Sequence, residues 1–281
     1  MSKKILVTGA GGYIGRHVVT ALCDMGADVI AVDFRTEGID PRASILSFDI
    51  FNESADIYNE LGCPDACVHM AWKDGFVHNS DAHMGMLSCH YNFVRNMING
   101  GMKQVAIMGT MHEIGYHEGA IDENTPCNPT SMYGIAKDAL RRSLFQLAKG
   151  KDICLQWLRA YYIYGDDKYS NSIFAKIVAA AEEGKETFPF TTGKNMYDFI
   201  PVSLLAEQIA ACIMQTEVDG IINCCTGKPM TLAEKVEGFI KEHNFAIKLN
   251  YGAFPDRPYD SPGVWGDAAK IDQIMDARIQ K

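Results

Sequence analysis

Tyr133 and Lys137 stand four residues apart at the start of an apolar-periodic stretch that runs from about Ser131 to Lys149. On a helix that spacing puts both side chains on one face. An ammonium beside a phenol favours the phenolate and lowers a pKa that is ordinarily about 10. A tyrosine tuned in this way exchanges a proton with a hydroxyl or ketone while a hydride moves to or from a nicotinamide. Thr110 closes a preceding apolar run, where its hydroxyl can hold the same reacting oxygen. A second pair of the same spacing, Tyr164 and Lys168, crosses Gly165-Asp166-Asp167. That is a turn signal, so only the first pair is read as catalytic. His112 and Glu113 follow Thr110 closely and are candidates to reach the substrate, the alternative being a polar loop at a cleft rim. His69 reads as a packed strand histidine. His78, His83, His90 and His117 cluster in sequence without metal-ligand spacing, and no metal is expected.

These residues need a scaffold, and the first fifteen positions supply its signature. Lys3 to Thr8 reads as a strand, Gly9-Ala10-Gly11-Gly12-Tyr13-Ile14-Gly15 as a turn, and Ile14, Val18, Val19 and Leu22 as one helix face. Strand, glycine turn and helix in that order form a dinucleotide-binding crossover. Gly9 permits the tight turn, Gly12 admits a pyrophosphate, and Gly15 lets helix and strand pack. Tyr13 and Ile14 open a helix whose free N–H groups meet the anion. A second strand, Asp28 to Val32, ends in Asp33, about 20 residues past the turn, where an acid holds ribose hydroxyls. A carboxylate there repels a 2′-phosphate, so NAD is expected, with NADP possible because Arg35 is close by.

Further strands are expected at Ser44–Phe48, Ala66–Ala71, Gln104–Met108, Ile153–Leu158 and Ile221–Cys225. Helices are expected at Glu53–Leu61, Asp81–Asn99, Ser131–Lys149, Ile173–Glu183, Val202–Gln215 and Leu232–His243, with 187–195 a loop. Alternation of this kind specifies an α/β fold, a doubly wound parallel sheet covered by helices on both faces. The rhythm breaks after Gly165. The expected division is a dinucleotide-binding domain over 1–163 and 198–226 and a small C-terminal substrate-binding lobe over 164–197 and 227–281.

The composition is that of an ordinary globular protein: 281 residues, 47% hydrophobic and 22% charged. A net charge of −9 argues against a general nucleic-acid partner. No apolar run approaches a membrane span and no secretory leader is evident, so a cytoplasmic protein is expected. The nine cysteines lack zinc spacing and read as reduced thiols.

Together these motifs resemble the extended short-chain dehydrogenase/reductases of the NAD-dependent epimerase/dehydratase family, Rossmann enzymes that act on nucleotide sugars. The resemblance rests on Thr8, Gly9, Gly12 and Gly15, on Asp33, on Asp49-Ile50 at the adenine, on His69-Met70-Ala71 along the cofactor, on Asn92, and on Thr110, Tyr133 and Lys137. At the sugar end Leu158, Arg159 and Gly165 match a family strand. Asn171 and Ser172 match a loop that touches the nucleotide, and Arg257 and Asp260 match a late motif that contacts phosphate or ribose. The chain departs from the family at Tyr197, where Arg is common before Asp198, at Tyr162, where Asn is common, and at Trp72-Lys73, where small residues are common. Met111-His112-Glu113 displaces the acid pair of the sugar 4,6-dehydratases.

The resemblance implies a nucleotide-sugar epimerase working at C4 through a 4-keto intermediate, with Tyr133 taking the proton, Thr110 holding the oxygen, and Lys137 binding the nicotinamide ribose. The nearest rival is an NAD(P)H-dependent 4-ketoreductase of nucleotide deoxysugars; a catalytically silent NAD(P) sensor is a third. It also implies a homodimer formed through Asp81–Asn99 and Ser131–Lys149.

Overall fold

Apolar runs that look alike in the sequence are sorted by the sheet into two layers. In β1, Ile5 and Val7 pack into one apolar cluster and Leu6 into a second on the opposite face, all fully buried. A strand covered on both sides reads as a continuous hydrophobic run. The computed structural model describes residues 2–165, 172–256 and 260–279. In chain order the elements are β1 (Lys4–Thr8), α1 (Gly15–Asp24), β2 (Asp28–Val32), β3 (Ser44–Leu46), α2 (Ile57–Glu60), β4 (Ala66–His69), α3 (Ala82–Gly85), α4 (Leu87–Gly100), β5 (Gln104–Thr110), β6 (Gly119–Ile121), α5 (Met132–Ala148), β7 (Cys154–Ala160) and β8 (Tyr162–Tyr164). There follow α6 (Ile173–Glu182), β9 (Thr187–Pro189), β10 (Met196–Tyr197), β11 (Phe199–Pro201), α7 (Val202–Ile213), β12 (Gly220–Cys224), β13 (Met230–Thr231), α8 (Leu232–Glu242), β14 (Lys248–Asn250), β15 (Gly263–Gly266) and α9 (Ala269–Ile279).

The main sheet has seven strands in the order β12-β7-β5-β4-β1-β2-β3, every neighbouring pair parallel. Val18, Val19 and Leu22 of α1 and Leu205 and Ile209 of α7 fill one face. Phe93 and Val94 of α4 and Leu140 and Leu144 of α5 fill the other. The chain reverses its direction of travel across the sheet between β1 and β4. The crevice beyond the carboxyl ends of strands at such a switch is where ligands bind in open α/β sheets.

A second sheet, β13-β10-β15-β6, stands beyond those carboxyl ends, with β11–β8 and β14–β9 as separate parallel pairs. β6 comes from the N-terminal half of the chain, and α9 packs on α7 and β12 of the main sheet. Buried Asp198 ties the layers together. Its Oδ1 accepts from Thr226 N at 2.9 Å and Thr226 Oγ1 at 2.6 Å, and its Oδ2 from Gly227 N at 2.9 Å and Gly266 N at 3.3 Å.

Three local expectations are revised. The helix expected at Glu53–Leu61 shrinks to α2, because Glu53 is left-handed at φ 59° and Asn52 and Ser54 side chains bind backbone N–H groups two residues on. Such local bonds compete with helix. The long helix expected at Asp81–Asn99 is divided at Met86 (φ −96°, ψ −2°), just after Gly85. The loop at 187–195 contains a strand, β9, paired with β14.

Candidate active site

The glycine turn is shaped by close approaches on three sides. Gly9 lies at φ +71°, and a Cβ there would sit 2.6 Å from Ala71 N. A Cβ on Gly15 would lie 2.0 Å from Gly9 O, and one on Gly11 would lie 1.8 Å from Arg35 O. At Gly12 a Cβ would meet only Gly9 O, at 3.1 Å, so this is the open side of the turn. No side chain caps α1, whose N-cap is Ile14, and a helix start of this kind suits an anion. The Asp33 carboxylate is held at the end of β2 by Gly11 N and Arg35 N, each at 3.0 Å. A cradle that side chains would fill, an uncapped helix start and an oriented acid fit a dinucleotide. Gly11, whose closeness to Arg35 only folding creates, escaped the sequence reading.

The other residues assigned to the cofactor divide by role. Asp49 is exposed, its Oδ1 accepting from Phe51 N at 2.9 Å, while the Ile50 side chain is in the core. Met70 and Ala71 hydrogen-bond through their N–H groups to Thr8 Oγ1, at 3.2 and 3.3 Å. The Tyr13 hydroxyl donates to Gly165 O, clasping the glycine turn to the segment after β8. Asn92 is half-buried on α4.

Thr110, Tyr133 and Lys137 come together where β5 meets α5. Ser131 caps α5 by accepting from Gly134 N at 3.2 Å. Gly134 lets the helix press on the turn Met111–Glu113, since a Cβ there would lie 2.4 Å from His112 O. The Thr110 side chain accepts from His112 N at 3.3 Å and acts on the Tyr133 phenol, and Lys137 Nζ stands 5.9 Å from the centre of the Tyr133 ring. Lys137 is 3% exposed and donates to Met108 O at 2.7 Å.

Charge states differ from the sequence expectation of an acidified phenol. Burial pushes Tyr133 up to about 12, with Thr110 pulling the other way. Burial also lowers Lys137 to about 7, with Glu113 pulling the other way. Burial thus favours the protonated phenol, the opposite direction to the expected acidification.

Of the residues proposed for substrate, His112 lies at the site, its ring centre 6.2 Å from that of Tyr133 and 4.5 Å from that of His78. Burial lowers His112 to about 4. Glu113 is a correction. It is fully buried, binds Arg159 Nε and Nη2 at 2.8 Å each, and accepts from Trp157 Nε1 at 2.9 Å. Its carboxylate is taken up by a core arginine and is closed off from solvent. The Ser172 hydroxyl caps α6 by accepting from Ala175 N at 3.2 Å. Asn171, Arg257 and Lys168 lie outside the described residues. Tyr162 and Tyr197, the two family departures, pack on each other with ring centres 4.2 Å apart.

Sequence reasoning missed the wall around the phenol. Trp72, His78 and His83 have ring centres 6.1, 5.7 and 5.3 Å from that of Tyr133. The available signal was Trp72 just past a strand end, with His78 and His83 following it in the sequence.

The model of the NAD dependent epimerase/dehydratase family matches residues 5–225. The dTDP-6-deoxy-L-talose 4-dehydrogenase (NAD(+)) of Aggregatibacter actinomycetemcomitans is 43% identical over 272 residues, spanning 93% of this chain and 98% of that protein. A probable UDP-arabinose 4-epimerase of Oryza sativa subsp. japonica is 26% identical over 320 residues, spanning 98% and 75%. The structure of Thermus thermophilus UDP-glucose 4-epimerase in complex with NAD superposes with a TM-score of 0.80 at 20% identity, covering 96% of this chain and 92% of that one.

Proposed function

Because the chain belongs to the NAD dependent epimerase/dehydratase family, we propose that it carries out NAD-linked redox chemistry at C4 of a nucleotide sugar. The observation that carries the reading is the meeting of Thr110, Tyr133 and Lys137 at the carboxyl end of β5, beside the glycine cradle. Gly9, Gly12, Gly15 and Asp33 would hold the dinucleotide, and Lys137 its nicotinamide ribose. When bound, NAD supplies a reversible hydride acceptor. Tyr133 exchanges the proton of the C4 oxygen, and Thr110 orients that oxygen through its hydroxyl.

Two net reactions share this chemistry. An epimerase keeps the 4-keto sugar and reduces it again from the other face; a 4-dehydrogenase, in reverse a 4-ketoreductase, exchanges keto and hydroxy sugar with solution. The relative at 43% identity favours the second, on a 6-deoxyhexose carried by a deoxythymidine diphosphate. The epimerase reading draws on the more distant 4-epimerases.

The finer assignments belong to the same proposal. Residues 1–163 with 198–226 carry the cofactor, and 164–197 with 227–281 carry the sugar nucleotide, Asn171, Ser172 and Arg257 among its contacts. The protein works in the cytoplasm as a homodimer joined through α4 and α5. Among the described residues, no helix is long and apolar enough to cross a membrane.

The test is to mix purified protein with NADH and a dTDP-4-keto-6-deoxyhexose, following reduced nicotinamide by absorbance and sugar configuration by NMR. One NADH consumed per sugar reduced is the expected result. Interconversion of C4 epimers without net NADH change selects the epimerase, and no conversion of any nucleotide sugar in either format rejects the proposal.

A further inference from the structure

We propose that Trp72 is a positioning residue that sets the proton affinity of the Lys137 side chain, and that His83 and His90 act through it by fixing the indole ring. Lys137 Nζ lies 3.7 Å from the centre of the Trp72 ring. A cation over an aromatic face is attracted by the ring quadrupole, most strongly over tryptophan and where water is excluded. Lys137 is buried, and its ammonium has three donors, of which Met108 O takes one. The indole face supplies a further favourable contact for the charged form.

The ring is fixed twice. Trp72 Nε1 donates to His83 Nδ1 at 3.0 Å, and the His90 imidazole is stacked on the indole with ring centres 4.3 Å apart and an interplanar angle of 15°. An indole nitrogen only donates, so His83 Nδ1 accepts and the ring proton sits on Nε2, which donates to Val77 O at 2.9 Å. His90 is orientated by a chain of bonds that begins at the cofactor turn. Thr8 Oγ1 accepts from Met70 N and Ala71 N, so its hydroxyl proton goes to His69 Nδ1, 2.8 Å away. His69 then carries its proton on Nε2 and donates to His90 Nδ1 at 2.9 Å. In each imidazole one nitrogen must keep its lone pair for an incoming proton donor.

Neutral rings matter because they crowd the lysine. The groups that face Lys137 are Trp72 after β4, His69 on β4, His90 on α4, Met108 O on β5, Glu113 in the turn after β5, and Tyr133 on its own helix. Of these Glu113 carries a full charge, already bound by Arg159. The indole therefore becomes the adjustable partner of the ammonium. Where a small residue followed Ala71, this contact would be lost.

The test reads Lys137 directly. In protein labelled with ¹³C at the lysine ε-carbons, the Lys137 resonance is identified by its disappearance in Lys137→Met, and its titration midpoint is followed by NMR. Trp72→Leu keeps an apolar cover but removes the aromatic face, and should move the midpoint down by about one pH unit. Trp72→Phe, a gentler change with a weaker face, should move it down by less. His83→Leu, which leaves Lys137 and the indole intact but frees the ring, should also move it down. A midpoint that stays or rises in both Trp72 variants overturns the proposal, as does one that is unmoved in His83→Leu. The inference about turnover rests on the catalytic reading above: the alkaline limb of kcat should follow the NMR midpoint from variant to variant. If no nucleotide sugar is turned over, that reading falls, while the NMR midpoints still decide the role of Trp72.

Discussion

Lowering the pH from 7 to 5 should cost the folded protein about 4 kcal/mol through His69 and His90 alone. Both rings are at most 2% exposed. Burial is the larger cause in each, lowering His69 to about 3 and His90 to about 2, from an ordinary 6.5. A base whose folded pKa is depressed binds fewer protons folded than unfolded, so its contribution to stability falls as pH drops below the unfolded value. At pH 5 the unfolded rings are about 1.5 pH units below their midpoint while the folded rings remain neutral. At about 1.36 kcal/mol per unit this is about 2 kcal/mol for each ring. That is a large part of a stability that is typically about 5–15 kcal/mol. His112, lowered to about 4, acts in the same sense. Asp40, whose carboxyl Arg42 holds at about 2, stays ionised throughout this window and adds no slope. The measurement is urea unfolding at the two pH values. Replacing His90 with Leu should lower stability at pH 7 and reduce the imidazole contribution to the slope to about 2 kcal/mol. Equal unfolding free energies at pH 7 and 5 would refute the reasoning, because the folded rings would then be accepting protons that the Thr8–His69–His90 bonds leave no room for.

Three further outcomes are expected. Tyr133→Phe should lower turnover at least about 100-fold, the usual scale of a lost general acid, with NAD affinity by calorimetric titration unchanged. Glu113→Gln should cost about 3–5 kcal/mol in chemical denaturation, because it strips the charge partner from a fully buried Arg159. Gly15→Ala should weaken NADH binding in a fluorescence titration, since its Cβ would lie 2.0 Å from Gly9 O and push α1 off the turn.

Much of the cofactor half was legible in the chain because its determinants are local. Gly9 needs a left-handed backbone, Asp33 ends a strand, and Ser131 precedes a helix whose i and i+4 residues share a face; each acts over a few residues. Glu113 was misread for the opposite reason. A carboxylate a few residues past a strand looks like a cleft residue until Arg159, 46 positions away, is seen to occupy it. The break at Met86 was hidden because apolar periodicity continues through it, and β9 because its partner β14 is some sixty residues distant.

What the sequence by itself determined is the order of strands and helices, the dinucleotide turn, and the placing of Tyr133 and Lys137 on one helix face after the strand that ends in Thr110, all carried by short-range spacing. What only the tertiary structure decided is the state of those groups. The neutral phenol, the lysine lowered by burial, the indole laid over it and the imidazoles that hold the indole arise from excluding water and bringing distant segments into contact. Desolvation and long-range hydrogen bonding depend on which surfaces meet, and that follows from the packed sheet and its helices.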